Sequence, residues 1–240
     1  MNLVFNKLIL NWVIVFFAAL LYFYLGYQLE RSQFSILMLS VFALFGANYF
    51  LVKTNQFSVS QLLGISLFFR LILLLVIPNL SQDFYRFIWD GRMLFNGFNP
   101  YLATPKNIIE QGMTPIAQSK ELFQGMGLLN ASHYTNYPPM SQLCYYIASL
   151  FGDKSILLSV VVLRLQIILS DIGVFYFGKK ILEHLQLPVK SVFLYLLNPF
   201  IILELTGNLH FEAVMVFFLL WSIYLLFNKQ WIVSGVIPVS

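Results

Sequence analysis

Apolar residues occur in long runs along this chain, and polar residues gather between the runs. A membrane-spanning helix needs about 20 predominantly apolar residues. Five runs approach or reach that length: 8–27, 35–52, 59–78, 155–178 and 211–227. A sixth, 190–206, is interrupted by Asn198-Pro199, a break that membrane helices tolerate where neighbouring groups or a cavity satisfy the freed backbone. The pattern predicts an all-α, polytopic transmembrane helical bundle with about six spanning helices.

A polar segment, residues 79–140, separates the third and fourth runs and carries 8 of the 24 charged side chains (14 basic and 10 acidic). Its charges balance, whereas lysines cluster in a short loop at Lys179, Lys180 and Lys190. Because short cytoplasmic loops carry an excess of lysine and arginine, we expect residues 79–140 to form one large exported loop. The stretch 139–151 is too short to cross and begins at two prolines, which suit a helix start. It predicts an interfacial or re-entrant helix.

The composition agrees with a membrane environment. Of the 240 residues, 59% are hydrophobic and 10% are charged, and the mean hydropathy is +0.78. Soluble domains carry about 25% charged residues, so a soluble domain is excluded and the lipid bilayer is the expected surrounding. Nucleic acid is not an expected partner, despite the net charge of +4. The single cysteine, Cys144, excludes an internal disulfide.

The six segments and the exported loop together predict a single membrane domain, 1–240. The last stretch, Trp231 to Ser240, is apolar and has the composition of the beginning of another helix. We therefore expect the chain to be truncated at its C terminus.

Two carboxylates and two arginines stand just after the third apolar run. Asp83, Arg86 and Asp90 are spaced i, i+3 and i+7, which places them on one face of a helix. Arg92 and Tyr101 follow them. Polar groups at a membrane boundary beside aromatic residues suit a site for a phosphate-bearing lipid or a sugar. The alternative is structural, because an i, i+4 pair of Arg86 and Asp90 supports a helix by a few tenths of a kcal/mol.

Three charged residues lie within apolar runs: Arg70, Arg164 and Asp171. A charge at the bilayer centre costs about 2.5–3.5 kcal/mol on insertion scales, so such residues usually face a bundle interior or a cavity. Arg164 and Asp171 share a helix face, and either phosphate binding by Arg164 or a structural ion pair explains them. For Arg70, ligand binding and extension of the side chain to the interface are both open.

A second polar group follows the interrupted run. Glu204, Asn208, His210 and Glu212 converge on one short turn. They suit sugar hydroxyls or a divalent metal, although two ligands do not define a metal site. Glu212 alternatively stabilises the N-terminus of the next helix, where acidic residues are favoured. The metal ligands therefore stay unknown at this stage.

Several motifs occur together in a fixed order. Asp83-Phe-Tyr-Arg-Phe-Ile-Trp-Asp-Gly-Arg92, Gly97-Phe-Asn-Pro-Tyr101 and Tyr137-Pro-Pro139 precede Arg164, Asp171, Asn198-Pro199, Glu204 and His210. Over residues 60–227 this arrangement resembles the bacterial GT-C superfamily glycosyltransferases, and it is most similar to the polyprenol-phosphate-mannose-dependent mannosyltransferases. The chain departs from them in being shorter and in having His210-Phe-Glu212 where a histidine, an asparagine and an aspartate are expected.

The resemblance implies a multi-spanning enzyme of the bacterial inner membrane with its active site facing outward. Such an enzyme moves a hexose, here mannose, from a polyprenyl-phosphate carrier to a hydroxyl of a glycan or lipid acceptor, with inversion. By position Asp83 is the general base and Asp90 the second candidate. Some relatives use a divalent metal, so a metal cofactor stays open. The predicted substrate-binding residues are Arg86, Arg92 and Arg164 for the phosphate, with Tyr101, Glu204, His210 and Glu212.

Two other functions fit parts of the sequence. A transporter or flippase for a lipid-linked or anionic substrate would line its path with Arg70, Arg164 and Asp171. Transporters commonly show inverted repeats with paired broken helices, whereas one broken segment and no internal repeat are evident here. A non-catalytic assembly subunit is the third candidate, and it would tolerate replacement of Asp83. The sequence favours the enzyme.

Overall fold

The structure, a computed structural model, describes residues 2–54 and 56–237. Within these two ranges the regular secondary structure is entirely helical, without a strand. The prediction of an all-α membrane protein is therefore confirmed. Residues 238–240, which end the apolar stretch predicted to begin a further helix, lie outside the described residues.

The α-helices and their bounds are α1 (Asn2–Tyr27), α2 (Phe34–Lys53), α3 (Val59–Ile72), α4 (Asp83–Phe95), α5 (Pro105–Glu110), α6 (Ser119–Ala131), α7 (Pro139–Gly152), α8 (Ile156–His184), α9 (Phe193–Leu196), α10 (Glu212–Phe227) and α11 (Trp231–Val236). A 3-10 helix, Val189–Val192, precedes α9, and a π-helix, Ile201–Gly207, follows it.

The chain divides into two compact units. The described residues up to 76 and from 167 to 237 form the first, which we call the apolar unit. Residues 77–166 form the second, which we call the loop unit because it contains the predicted exported loop. That segment is folded, since α4, α5 and α6 all lie within it.

Three helices in the described ranges are long and apolar enough to cross a membrane: Leu8–Tyr27, Phe34–Lys53 and Ile156–His184. Large apolar side chains project outward from the first two, for example Phe16 (61% exposed) and Phe42 (69% exposed). Such surfaces are suited to lipid, because hydrocarbon imposes no cost on exposed apolar side chains.

The other predicted spans are also helical but differ in form. The segment interrupted by Asn198-Pro199 is a bent pair, Val189–Leu196 and Ile201–Gly207, with 60° between its parts, so the predicted break is confirmed. The remaining two are shorter apolar helices, α3 and α10.

The helix predicted over 59–78 is too long, because the observed helix, α3, ends at Ile72. Beyond that point the amides of Leu73, Leu74 and Val76 bond to carbonyls three residues earlier. Such i to i+3 bonds tighten the end of a helix. The chain therefore turns before it reaches Pro78. By contrast, the short helix predicted over 139–151 is confirmed as α7, with Pro139 as its first residue.

Helices α4 and α7 pack directly against each other in the loop unit. Gly91 permits this approach, since a Cβ at that position would overlap the backbone carbonyl of Tyr145. The ring of Phe87 stacks on Tyr145 with centroids 4.7 Å apart and meets Tyr137 edge-on at 5.1 Å. These contacts fix α4 against the loop that precedes α7.

In the apolar unit, side chains of α3 supply hydrogen bonds to a backbone carbonyl that is left without its helical partner at the break after α9. The amide of Phe200 bonds to the side chain of Asn198 at 2.9 Å, so it does not reach the carbonyl of Leu196. That carbonyl accepts hydrogen bonds from Ser66 at 3.0 Å and from Arg70 Nη1 at 2.7 Å instead. A buried backbone carbonyl without a partner would be costly.

Arg70 also forms a buried ion pair. Its Nε lies 2.7 Å from a carboxylate oxygen of Asp171, and the two side chains are 0% and 1% exposed. Extension of Arg70 to the membrane interface, one of the two alternatives considered for it, is therefore wrong. Asp171 pairs with an arginine of another helix, which gives this intramembrane acid a structural role.

We predict that Asp171→Ala destabilises the protein strongly, because it leaves Arg70 as an unpaired buried charge. Loss of one partner of a buried pair costs about 3–5 kcal/mol, which corresponds to a fall of roughly 10 °C in the unfolding temperature. Thermal unfolding of the full chain in detergent measures it. The control is Glu183→Ala on the same helix, which removes an exposed pair with Lys179 worth at most about 1 kcal/mol. Equal unfolding temperatures for the two variants would contradict the assignment.

Candidate active site

Asp83 is the first residue of α4. Acidic residues are favoured there by the partial positive charge of the helix N-terminus. Its two carboxylate oxygens accept hydrogen bonds from the Asn130 amide and the Ser81 hydroxyl, each at 3.2 Å. The side chain is only half-buried. Asp83 is therefore a carboxylate with a fixed orientation that a ligand can still reach.

Arg86 and Asp90 form an ion pair one helical turn further along α4. Arg86 Nε lies 2.8 Å from Asp90, and the side chains are 2% and 0% exposed. Gln142 of α7 donates to the other oxygen of Asp90 at 3.0 Å. Burial raises the pKa of Asp90 above its ordinary value, and the Arg86 charge with hydrogen bonds from Thr135 and Gln142 offsets part of the rise. The i, i+4 ion pair that was considered as a structural role for Arg86 and Asp90 is therefore present, and it is buried inside the protein.

Arg86 also holds the C-terminal end of α6 and the loop that follows it. Its Nη1 donates to the carbonyl of Asn130 at 3.1 Å and to that of His133 at 2.9 Å. Its Nη2 is buried and has no hydrogen-bond partner among the described residues. One guanidinium therefore connects α4 to the end of α6 and to the following loop, both more than 40 residues away along the chain.

The two candidate bases differ in access. Asp83 and Asp90 lie on one helix, and seven residues at about 1.5 Å each separate them by roughly 10 Å along its axis. Asp83 is half-buried and bound by neutral donors, whereas Asp90 is enclosed and paired with a cation. Of the two, Asp83 is placed to exchange a proton with a ligand.

Arg92 and Arg164, both predicted to bind a phosphate, are enclosed as well. Arg92 donates to the carbonyls of Ala117 at 2.8 Å and Gly152 at 3.0 Å, and to Gln118 at 3.1 Å. Burial lowers the pKa of Arg92 to about 10, which leaves it charged at neutral pH. The side chain of Arg164 is 0% exposed. Neither arginine presents its charge to solvent.

Tyr101 lines an apolar cleft of about 380 Å³ in the loop unit. Its hydroxyl donates a hydrogen bond to the carbonyl of Tyr137 at 2.5 Å, and the side chain is 40% exposed. The cleft is also lined by Leu94, Pro139, Gln142, Leu143 and Tyr146. Tyr101 therefore anchors the segment just before α7 and stays partly exposed.

A larger cleft of about 700 Å³ lies beside Asp83 in the loop unit. Its lining comes from Arg86 and from one short segment: Leu129, Asn130, His133, Tyr134, Thr135, Asn136 and Tyr137. Apart from the place of Tyr137 in the motif Tyr137-Pro-Pro139, this segment was not among the residues predicted from the sequence to bind substrate. The available signal was its density of amide, hydroxyl and aromatic side chains ahead of two prolines.

The second predicted polar group lies in the apolar unit, next to the π-helix. His210 lies 3.9 Å from Glu204 and 3.8 Å from Glu212, and Asn208 donates to Glu204 at 3.1 Å. Leu209 between them adopts a left-handed backbone with φ of 64°, an unusual conformation for a bulky residue. π-Helices and such strained residues concentrate at functional sites.

This polar group does not supply a recognisable metal site. In residues 2–54 and 56–237, no cluster of three or more histidine, cysteine or acidic side chains is arranged to hold a metal ion. Glu212 is the first residue of α10, which agrees with its alternative role at the helix N-terminus.

An all-helical membrane protein with a reachable carboxylate beside a polar cleft has the features of a membrane-embedded glycosyltransferase. Residues 17–239 match the family model described as alpha-(1->6)-mannopyranosyltransferase, N-terminal domain. The chain belongs to this family, the MptA_B family, and is a membrane mannosyltransferase. The resemblance drawn from the motifs is confirmed, and the transporter and assembly-subunit alternatives are not favoured. No curated protein and no solved structure matches the chain.

We predict that Gly91→Ala destabilises the loop unit, because the new methyl group overlaps the Tyr145 carbonyl between α4 and α7. Overpacking of this kind costs about 1–3 kcal/mol. The matched control is Gly64→Ala in α3, where a Cβ meets nothing within 4 Å and alanine favours the helix by up to about 1 kcal/mol. Thermal unfolding in detergent compares them, and a Gly91→Ala protein as stable as the control would refute the close approach.

Proposed function

We propose that the protein transfers mannose from a polyprenyl-phosphate carrier to the 6-hydroxyl of a mannose-containing glycan or lipid, with inversion at the anomeric carbon. The family match supplies the sugar and the linkage. The observation that carries the mechanism is the half-buried carboxylate of Asp83, fixed by Asn130 and Ser81.

Asp83 acts as the general base in this proposal. The acceptor hydroxyl gives its proton to Asp83 as its oxygen forms a bond to the mannose anomeric carbon. The bond from that carbon to the phosphate oxygen breaks, and the polyprenyl phosphate leaves with the electron pair. A positioned base contributes about 10²- to 10⁴-fold to such a rate.

A single displacement agrees with the placement of the two acids. A double displacement needs a second carboxylate near the same anomeric carbon, as in retaining glycosidases, where the two are about 5–5.5 Å apart. Asp90 is two helical turns from Asp83 and is enclosed with Arg86. We therefore assign Asp90 to positioning: it holds Arg86, and Arg86 holds the end of α6, which carries Asn130.

The membrane location supports a lipid carrier for the donor. An apolar polyprenyl chain can remain in the bilayer beside helices such as α1 and α2, whose large apolar side chains face outward. The balanced charges of the segment 79–140 support a site on the exported side. In a bacterium that side is the outer face of the inner membrane.

The remaining predicted residues have narrower proposed roles. Glu204, His210 and Glu212 are partly exposed and are proposed to contact sugar hydroxyls. Arg86, Arg92 and Arg164 are enclosed in this conformation. Contact of any of them with the leaving phosphate therefore requires a rearrangement when the donor binds. A divalent metal would be an alternative counter-charge for the phosphate.

We predict that Asp83→Asn abolishes transfer, with a loss of at least about 100-fold, because the amide cannot accept the proton. The measurement is transfer of radiolabelled mannose from polyprenyl-phosphate mannose in membranes with equal amounts of each protein. Glu110→Gln is the matched control, since Glu110 is exposed and its ion pair is a surface contact with Lys106. Equal activity in Asp83→Asn and wild type would remove Asp83 from this role.

The stereochemistry is a separate test. A single displacement that forms an α-(1→6) product requires a β-linked donor. We expect transfer from the β anomer of polyprenyl-phosphate mannose, none from the α anomer, and an α product by NMR of its anomeric signals. A β-linked product, or transfer from the α donor, would contradict the inverting mechanism. The assignment of Asp83 as the base would then depend on the result for Asp83→Asn alone.

A further inference from the structure

We infer that the cleft formed by Arg86 and the segment 129–137 binds the acceptor saccharide, with Tyr134 and Asn136 as recognition residues. This inference rests on the proposed function, because it places the acceptor relative to Asp83. It assigns the cleft to a neutral sugar, and not to the phosphate of the donor.

The first argument is the position of the cleft. Asn130 lines it, and the same side chain donates to Asp83 at 3.2 Å. A general base must come within hydrogen-bond distance of the hydroxyl that it deprotonates. A saccharide in this cleft would therefore be one side chain, that of Asn130, away from the group that receives its proton.

The second argument is the chemistry of the lining. Apart from Arg86 it consists of amide, hydroxyl, imidazole and aromatic groups with an aliphatic residue. Tyr134 is 59% exposed and offers a ring face to a pyranose. His133 Nδ1 lies 2.6 Å from the carbonyl of Leu129, so in the neutral ring Nδ1 carries the proton and Nε2 is left as an acceptor. These groups match the alternating hydroxyls and apolar faces of a hexose.

The third argument is the local charge. The cleft has one cation, Arg86, and that guanidinium lies 2.8 Å from the carboxylate of Asp90. Asp83 stands beside it as a second acid. Two carboxylates against one guanidinium give no net positive charge, so the cleft offers no counter-charge to a phosphate. The site therefore favours an uncharged ligand.

The fourth argument is that the cleft is preorganised and of suitable size. Arg86 fixes the carbonyls of Asn130 and His133, Gln142 donates to Thr135 at 3.2 Å, and Tyr101 bonds to the carbonyl of Tyr137. Ligand sites for small molecules have volumes of about 300–1,000 Å³, and this cleft measures about 700 Å³. It has room for a short saccharide without a large movement of the loop.

The test separates acceptor from donor binding by steady-state kinetics of the full chain in detergent. Octyl α-mannopyranoside serves as the acceptor and polyprenyl-phosphate mannose as the donor, each varied at saturating amounts of the other. For Tyr134→Ala and Asn136→Ala we expect the acceptor KM to rise about three- to tenfold, with the donor KM unchanged within about twofold. Tyr134→Phe keeps the ring and should recover most of the acceptor affinity.

A control variant and a binding experiment complete the test. Met113→Ala removes an exposed side chain of the loop unit that does not line the cleft, and it should behave as wild type. Saturation-transfer NMR should detect octyl α-mannopyranoside on Asp83→Asn protein and lose it when Tyr134→Ala and Asn136→Ala are added.

The possible failures are distinguishable. Two results would overturn the acceptor assignment. One is an increase in the donor KM alone, and the other is an unchanged acceptor KM with a retained NMR signal in the Tyr134 and Asn136 variants. In either case, transfer by wild type would uphold the proposed function. Absence of transfer by wild type, with octyl α-mannopyranoside still bound in a Tyr134-dependent way, would overturn the proposed function and leave the cleft as a saccharide site.

Discussion

A charged side chain removed from water needs a counter-charge and hydrogen bonds, or the fold loses several kcal/mol for each one. In the loop unit Arg86 and Asp90 meet this requirement for each other. The further contacts of Arg86 determine where the cleft lies. Asp90 pairs with Nε of the guanidinium, while Nη1 donates to two backbone carbonyls, one at the end of α6 and one in the loop before α7. The pair thereby converts a local helix contact into a tertiary restraint on Asn130, the residue that orients Asp83.

In the apolar unit an arginine, Arg70, also satisfies a buried polar group. There the group to be satisfied is a backbone carbonyl, released at Leu196 because Phe200 bonds to Asn198 instead. Ser66 and Arg70 supply the missing donors, and Asp171 balances the charge that Arg70 brings into the protein. In both units an arginine is used for its several directed donors, and its charge is a consequence that a carboxylate must offset.

The features that the sequence predicted are those set by local patterns. The helix that carries Asp83 and Asp90 follows from their spacing, and the break at Asn198-Pro199 follows from the missing amide of proline. The enclosure of Arg86 and Arg92 did not follow, because their partners lie 25 to 60 residues away along the chain. The length of α3 was also overestimated, since apolar composition is the same in a helix and in the 3-10 turns that end it.

The i, i+4 spacing of Arg86 and Asp90 has a consequence for biosynthesis in the proposed topology. A nascent α4 can close this ion pair within its own helix as soon as about two turns have formed, before α6 or α7 has been synthesised. The segment then carries a local ion pair, worth about 0.2–0.5 kcal/mol in an exposed helix, before its tertiary partners exist. Asn130 and the rest of the cleft are made later in the chain. In the proposed topology, the hydrogen bond from Asn130 to the carboxylate of Asp83 therefore forms only after the polar segment has been exported and folded.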